Sequence, residues 1–336
     1  MTFLFLRGRI LFIKGFTYGW DGRRGDYRTP EAISSMEKFR QAGNEWLCLA
    51  FSVMQEQFSS TKISFDYRYT VKDRDLEFAV KKAHELGMKV CLKPVINCAD
   101  GVWRAEINFP DVNMRGKDVY WGAWFEHYTA FMCHYAELAE YTGCEMLCVG
   151  CEMVASERKE SHWRELIKET KKFYSGPLVY NANHGSEDNV HWFDAVDYIG
   201  TSAYYPVAKI PGETEEKMFA AWQPIKKRVE ALSEKWKKQV IFIEIGCRSA
   251  KGCAMMPWDF THSEYPYDED EQANFYQSCL RTFFNEPWFA GFFWWDWSTK
   301  IYDAAKAEGN TGFNIHGKKA ESVLKEWYSK PVTGIR

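Results

Sequence analysis

No stretch of this chain approaches the roughly 18 uninterrupted apolar residues of a membrane-spanning helix. Charge of one sign is not concentrated anywhere: 43 basic and 46 acidic side chains are intermixed, giving a formal net charge of −3 and no basic stripe. These absences argue against a membrane and against nucleic acid as partners. Repeats, low-complexity tracts and linkers are missing as well, so the 336 residues read as one domain spanning 1–336. The ten cysteines form no staple-like framework, and a chain of this length needs no disulfides. Cys48, Cys91, Cys148 and Cys247 fall in or beside apolar runs, as small apolar residues do. Cys144, Cys148 and Cys151 are close in sequence, but a strand spreads its residues by about 3.3 Å each and does not gather them round an ion. No metal or other cofactor is expected. The segment Met1–Ile13 lacks the basic region and small-residue cleavage site of a secretion signal and reads as a tail leading into the first strand. With free cysteines, that gives a cytoplasmic expectation. Oligomeric state is not legible.

What the chain does have is an ample apolar content, 46%, and two short segments that end in acid. Leu147-Cys148-Val149-Gly150-Cys151-Glu152 and Val240-Ile241-Phe242-Ile243-Glu244-Ile245-Gly246 are runs too short for helices, each delivering a glutamate near its C-terminal end. Such runs suit buried strands of a parallel sheet, where a carboxylate is costly unless it is used. The two glutamates are 92 residues apart. At roughly 30 residues per strand-plus-helix unit, that separation is about three units. Both could therefore face each other across the mouth of one barrel, as cleavage of a glycosidic bond requires.

The rest of the chain supplies the barrel. Strands are expected at Phe12–Tyr18, Trp46–Phe51, Met88–Val95, the run before Glu152, Leu178–Tyr180, Tyr198–Ser202, Val240–Ile245 and Gly291–Trp294. Helices alternate with them. The first starts at Pro30 with Thr29 as its cap, others cover about Val71–Leu86 and Trp124–Tyr141, and a closing helix runs through Ala320–Tyr328. Long insertions follow strands two (Ser52–Tyr69), three (Asn97–Tyr120) and seven (Cys247–Asp270). The fold class is α/β, a single (β/α)8 TIM barrel over about residues 12–329.

Active sites of this fold lie past the C-terminal strand ends. There the chain places Trp20, Gln55, Asn97, Trp103, Glu152, Asn183, His184, Tyr204, Tyr205, Glu244, Trp294, Trp295 and Asp296. Sugars offer C–H faces to aromatic rings and hydroxyls to fixed polar partners, so this mixture suits a carbohydrate cleft.

These residues resemble a known family. Lys14–Trp20, Leu92-Lys93-Pro94, Asp100-Gly101-Val102-Trp103-Arg104, Val149–Glu152, Asp197–Gly200, Phe242–Ser249 and Trp288–Trp295 look like glycoside hydrolase family 113, in that family's order and from about residue 12 to residue 329. The resemblance implies a clan A barrel cleaving β-1,4-linked mannose with retention, with Glu152 as general acid/base and Glu244 as nucleophile. The substrate would be mannan, glucomannan or manno-oligosaccharide. Two departures stand out. Cys151 occupies the position where many clan A enzymes carry Asn against the substrate 2-hydroxyl, a contact left to Asn183 or His184. Val95-Ile96-Asn97 stands where relatives are expected to carry His and Asp.

Supporting roles follow. Tyr204 or Tyr205 is placed to donate to Glu244, and an ionised Glu244 would raise the pKa of Glu152. Trp294 or Trp295 would form the floor under the sugar. Lys93 would bind a sugar hydroxyl or pair with a carboxylate. Trp20, Asn97, Trp103, Asn183 and His184 complete the expected contacts. Asp296 and Arg248 read as ion-pair members before ligands, Cys151 as space-filling before redox-active, and Glu56, Asp100 and Glu187 as solvated loop charges. The competing readings are an exo-acting β-mannosidase or oligosaccharide-trimming enzyme and a non-catalytic sugar-binding barrel.

Overall fold

Eight parallel strands close on themselves in the computed structural model, which describes residues 12–64, 70–261 and 264–333. They are β1 (Ile13–Tyr18), β2 (Trp46–Gln55), β3 (Lys89–Cys98), β4 (Met146–Cys151), β5 (Leu178–Asn183), β6 (Tyr198–Ser202), β7 (Val240–Ile245) and β8 (Phe289–Trp297). Each pairs with the next, and β8 returns to β1 through Ile13–Gly291 and its neighbours. The expected α/β barrel is what forms. The expected N-terminal tail lies outside the described residues, apart from Phe12 and Ile13.

The helices are α1 (Pro30–Gln41), α2 (Asp73–Glu85), α3 (Val119–Thr142), α4 (Glu160–Thr170), α5 (Glu215–Trp236), α6 (Glu269–Phe283) and α7 (Lys319–Ser329). Thr29 caps α1, its hydroxyl accepting from Ala32 N–H at 3.2 Å, with Pro30 at the first position where its missing N–H costs nothing. The expected alternation fails once: β5 and β6 are joined by two 3-10 turns, Glu187–Asn189 and Phe193–Ala195, and no α-helix. The buried rings of Trp192 and Phe193 fill the outer groove instead, Trp192 stacking on Trp163 at 4.7 Å. The segment expected as a loop from Ser52 is strand as far as Gln55, and Ile63–Ser64 folds back antiparallel on Met54 and Gln55.

Large side chains face outward into the helical layer, and a smaller cluster fills the barrel. Ile13, Trp46, Cys48, Cys91, Met146, Cys148, Val179, Ile241, Ile243, Ala290 and Phe293 make up that inner plug. The cysteines offset the bulk of Trp46 and Phe293, which meet edge-on at 6.2 Å. Gly15 is required beside them, because a Cβ there would fall 2.6 Å from the Phe293 ring. Among the described residues no helix is long and apolar enough to cross a membrane.

Two irregularities in the sheet bear on the site. On β4, Cys148 and Cys151 pair with Val179 and Asn181, so three steps on one strand match two on the other. On β7, Phe242 and Glu244 pair with Thr201 and Ser202, two steps against one. A bulge of this kind re-aims the residues after it. Ile243 belongs to the inner plug, and strict alternation would turn Glu244 outward into the helices. The bulge turns it back toward the barrel axis.

Candidate active site

Glu244, next to last on β7, is nearly buried, at 5% exposure, inside a ring of donors. Its Oε1 pairs with the Lys93 ammonium, accepts from Asn181 Nδ2 at 3.1 Å and receives the Cys151 thiol at 3.3 Å. Its Oε2 accepts from the Tyr204 hydroxyl at 3.2 Å. Burial alone would raise the pKa of this carboxyl. The charges of Lys93 and then Arg104, with the Lys93 and Cys151 hydrogen bonds, hold it below the ordinary glutamate range. Lys93 is fully buried on β3. A buried charge pair of this kind stabilises the fold weakly but is costly to break from one side.

Glu152 follows β4 directly and is 6% exposed. Arg104, in the 3-10 turn Arg104–Glu106 after β3, places Nη2 2.5 Å from its Oε2. The same guanidinium donates to Cys151 O at 3.1 Å and to Asn97 Oδ1 at 3.1 Å, so its plane is fixed on three sides. Burial raises the pKa of Glu152 above the ordinary range; Arg104 pulls against that shift and the Glu244 charge adds to it. The net preferences of the two carboxyls are therefore opposite, one held ionised and one favouring its proton. Such a pair can supply a nucleophile and a proton donor within one cleft.

Aromatic rings border these groups. Trp295, at the mouth end of β8, is half-buried and meets the half-buried Trp20 at 5.3 Å. His184 stacks on the half-exposed Trp258 at 5.4 Å, and Trp103 beside Arg104 is 44% exposed. Asp296, next to Trp295 across a cis peptide bond, is pushed up to about 7 by burial and by Asp21. No group of three His, Cys, Asp or Glu among the described residues could hold a metal ion. A separate recess of about 1020 Å³, lined by Met114, Lys117, Asp118 and Arg158, contains neither glutamate.

The model of Glycoside Hydrolase Family 113 matches residues 16–318. This chain belongs to that family. A solved complex of a GH113 β-1,4-mannanase is 38% identical with TM-score 0.86, over 96% of this chain and 100% of that one. The GH113 β-mannanase of Alicyclobacillus acidocaldarius in complex with ManMIm is 38% identical with TM-score 0.87, over 95% of this chain and 97% of that one. A Faecalibacterium prausnitzii β-glucuronidase, at 17% identity and TM-score 0.63, shares the fold alone, over 96% of this chain and 49% of that one. Comparison with curated proteins gives no match.

Within this family-113 barrel several sequence expectations are corrected. Trp294 is no sugar floor: it is fully buried on the outer face, stacked on Tyr276 at 3.9 Å and donating to the Tyr328 hydroxyl at 3.1 Å. Alternation along β8, with Phe293 inside, leaves Trp295 to face the mouth. Tyr205 does not reach Glu244; its hydroxyl goes to Glu187. Glu187 is no solvated charge but is 2% exposed, shared between Tyr205, Thr201 and Arg228. Lys93 pairs with a carboxylate and is not open to a hydroxyl. Asn97 is occupied by Arg104 and Ser52, so it orients the guanidinium. Arg248 donates to Thr311. Glu56 and Asp100 are exposed as expected, Asp100 capping Phe58 and Val102 N–H groups.

Neither Asn183 nor His184 stands beside Cys151. Asn181 does, one strand over in register, with Nδ2 3.1 Å from the Cys151 sulfur. The thiol itself is raised well out of its ordinary range, burial being the largest cause, and acts as a neutral donor. Arg104, Asn181 and Ser202, whose hydroxyl donates to Asn181 Oδ1 at 3.2 Å, went unassigned in the sequence. Asn181 shares the inward alternation of Val179, which is the one signal that could have found it.

Proposed function

We propose that the chain hydrolyses β-1,4-mannosidic bonds by double displacement with retention, Glu244 acting as nucleophile and Glu152 as acid/base. The observation that carries this reading is the pair of buried carboxyls with opposite protonation preferences at the ends of β4 and β7. Three donors occupy Oε1 of Glu244, and Oε2 has Tyr204 alone, so Oε2 is the oxygen to attack the anomeric carbon. As it does, Glu152 passes its proton to the departing glycosidic oxygen. Arg104 then stabilises the carboxylate left behind, which takes a proton from the incoming water while that water displaces Glu244. The 38% identity to β-mannanases supports mannose as the sugar.

Two exposed rings, Trp103 from the β3 loop and Trp258 from the β7 loop, favour an open cleft and endo action. The ten free cysteines fit a cytoplasmic setting and short oligosaccharides as the working substrate. The test is a product profile from mannohexaose and glucomannan, sampled early. Mixed short oligomers with falling polymer viscosity support the endo reading. Mannose alone, with the polymer hardly touched, would replace it by exo-acting trimming. Binding of mannohexaose without any product would leave the sugar-binding barrel.

A further inference from the structure

Among the described residues three non-glycines have left-handed backbone, Arg115, Glu152 and Lys237. Arg115 lies in an exposed turn and Lys237 ends a helix, but Glu152, with φ 52°, is buried at the centre of the site. That conformation crowds Cβ against the neighbouring carbonyl, so something must hold it. Both amides flanking the Glu152 Cα are tied to β5. Glu152 N–H donates to Asn181 O at 2.7 Å, and Met153 N–H donates to the Tyr180 hydroxyl at 3.2 Å. That hydroxyl in turn donates to Glu157 Oε1 at 2.7 Å.

Glu157 has no part in the chemistry above, yet it is 1% exposed and its Oε2 is buried without a partner. A carboxyl left that way is costly unless its position matters. Burial pushes it up to about 8, so near neutrality it is mostly uncharged and adds little charge beside Glu152. The Tyr180 ring is clamped by Trp163 at 5.1 Å and Trp192 at 4.7 Å. Gly150 leaves the space for it, since a Cβ there would lie 2.9 Å from the ring. Trp192 Nε1 also donates to Glu157 O at 3.1 Å, fixing the far end.

We propose that Tyr180 and Glu157 are positioning residues for the acid/base: a hydroxyl–carboxyl bracket that holds the Glu152–Met153 peptide and thereby aims the Glu152 carboxyl at the leaving-group oxygen. Neither touches the substrate. The bracket runs in one direction, amide to hydroxyl to carboxyl, and each bond polarises the next. The inference rests on the acid/base role given to Glu152 under the proposed function.

The test compares kcat/KM on mannotetraose with kcat/KM on 2,4-dinitrophenyl β-mannoside, whose leaving group departs without a proton. Tyr180→Phe should lose about 10- to 100-fold on mannotetraose and no more than about threefold on the aryl mannoside. Glu157→Met should show the same pattern, and Glu157→Gln, which keeps an acceptor for the hydroxyl, should recover most of that loss. Equal losses on both substrates, or no loss on either, overturn the bracket; if Tyr180→Phe does not fold, Glu157→Met decides. Glu152→Ala is the reference. If Glu152→Ala lacks the leaving-group dependence, the acid/base assignment fails and the bracket with it. If it has the dependence and the other two variants lack it, the bracket alone fails.

Discussion

Glu244 and Glu152 are the same side chain at the same end of the same barrel, and their surroundings divide them. Glu244 sits within a strand, turned inward by a bulge, and its Oε1 is saturated by a cation, an amide and a thiol. Glu152 sits just past a strand in a left-handed turn, with Arg104 the cation that reaches it. The strand seat fixes a carboxylate by donors that converge across the barrel from β3, β4 and β5. The turn seat fixes the backbone first and leaves the carboxyl nearer to its neutral form. The lesson is that protonation here follows from which backbone element carries the acid, because that element decides how many donors can converge on it.

Breaking the strand seat outright should have the largest effect. Glu244→Gln removes the attacking oxygen, and turnover of mannohexaose should fall by about four to six decades while binding survives. Full activity in that variant would sink the assignment. Lys93→Met comes next. It strips the main counter-charge from Glu244, so kcat/KM should drop about 10²- to 10³-fold. The Glu244 pKa then rises, and the acidic limb of the pH–rate profile should move to higher pH; an unmoved limb would mean Lys93 does not tune this carboxyl.

On the turn seat, Arg104→Met should cost less, about tenfold, because burial and Glu244 still favour the protonated acid. Its signature is the alkaline limb, which should move upward as a lowering influence is lost. Two tryptophans then sharpen the inside–outside distinction. Trp295→Ala should raise KM for mannohexaose about tenfold with little change in melting temperature, whereas Trp294→Ala should cost about 3–5 kcal/mol of stability and leave KM nearly unchanged. Calorimetry and initial rates on both variants check this.

The smallest effect concerns Glu157. Its folded-state pKa is raised above the unfolded value, so folding is favoured while it is protonated and loses that support as pH climbs toward about 8. Relative to the parent, Glu157→Gln should melt at nearly the same temperature at pH 4.5 and a few degrees higher at pH 8. A difference that does not vary with pH would refute the buried-carboxyl account.

Much of this was legible along the chain. The runs Val240–Ile245 and Tyr198–Ser202 carry their own strand boundaries, since β-branched and apolar stretches bounded by loop residues have one sensible reading. Thr29-Pro30 announced the start of α1 as plainly. Trp294 and Trp295 are adjacent and chemically equal, so nothing in the pair itself says which faces the mouth. Tyr204 and Tyr205 pose the same problem, and only Tyr204 turns out to meet Glu244. Arg104 and Asn181 are ordinary polar residues until the closed sheet brings them to the two carboxyls from 48 and 63 positions away.

The class of fold, the two catalytic candidates and the family can be read along the chain, because strand periodicity, helix caps and short ordered motifs are local properties. The tertiary structure decided which rings line the cleft, which donors reach each glutamate and where the buried Glu157 bracket lies. Those depend on register and on two bulges, and a one-residue slip in either exchanges the inner and outer faces of a strand.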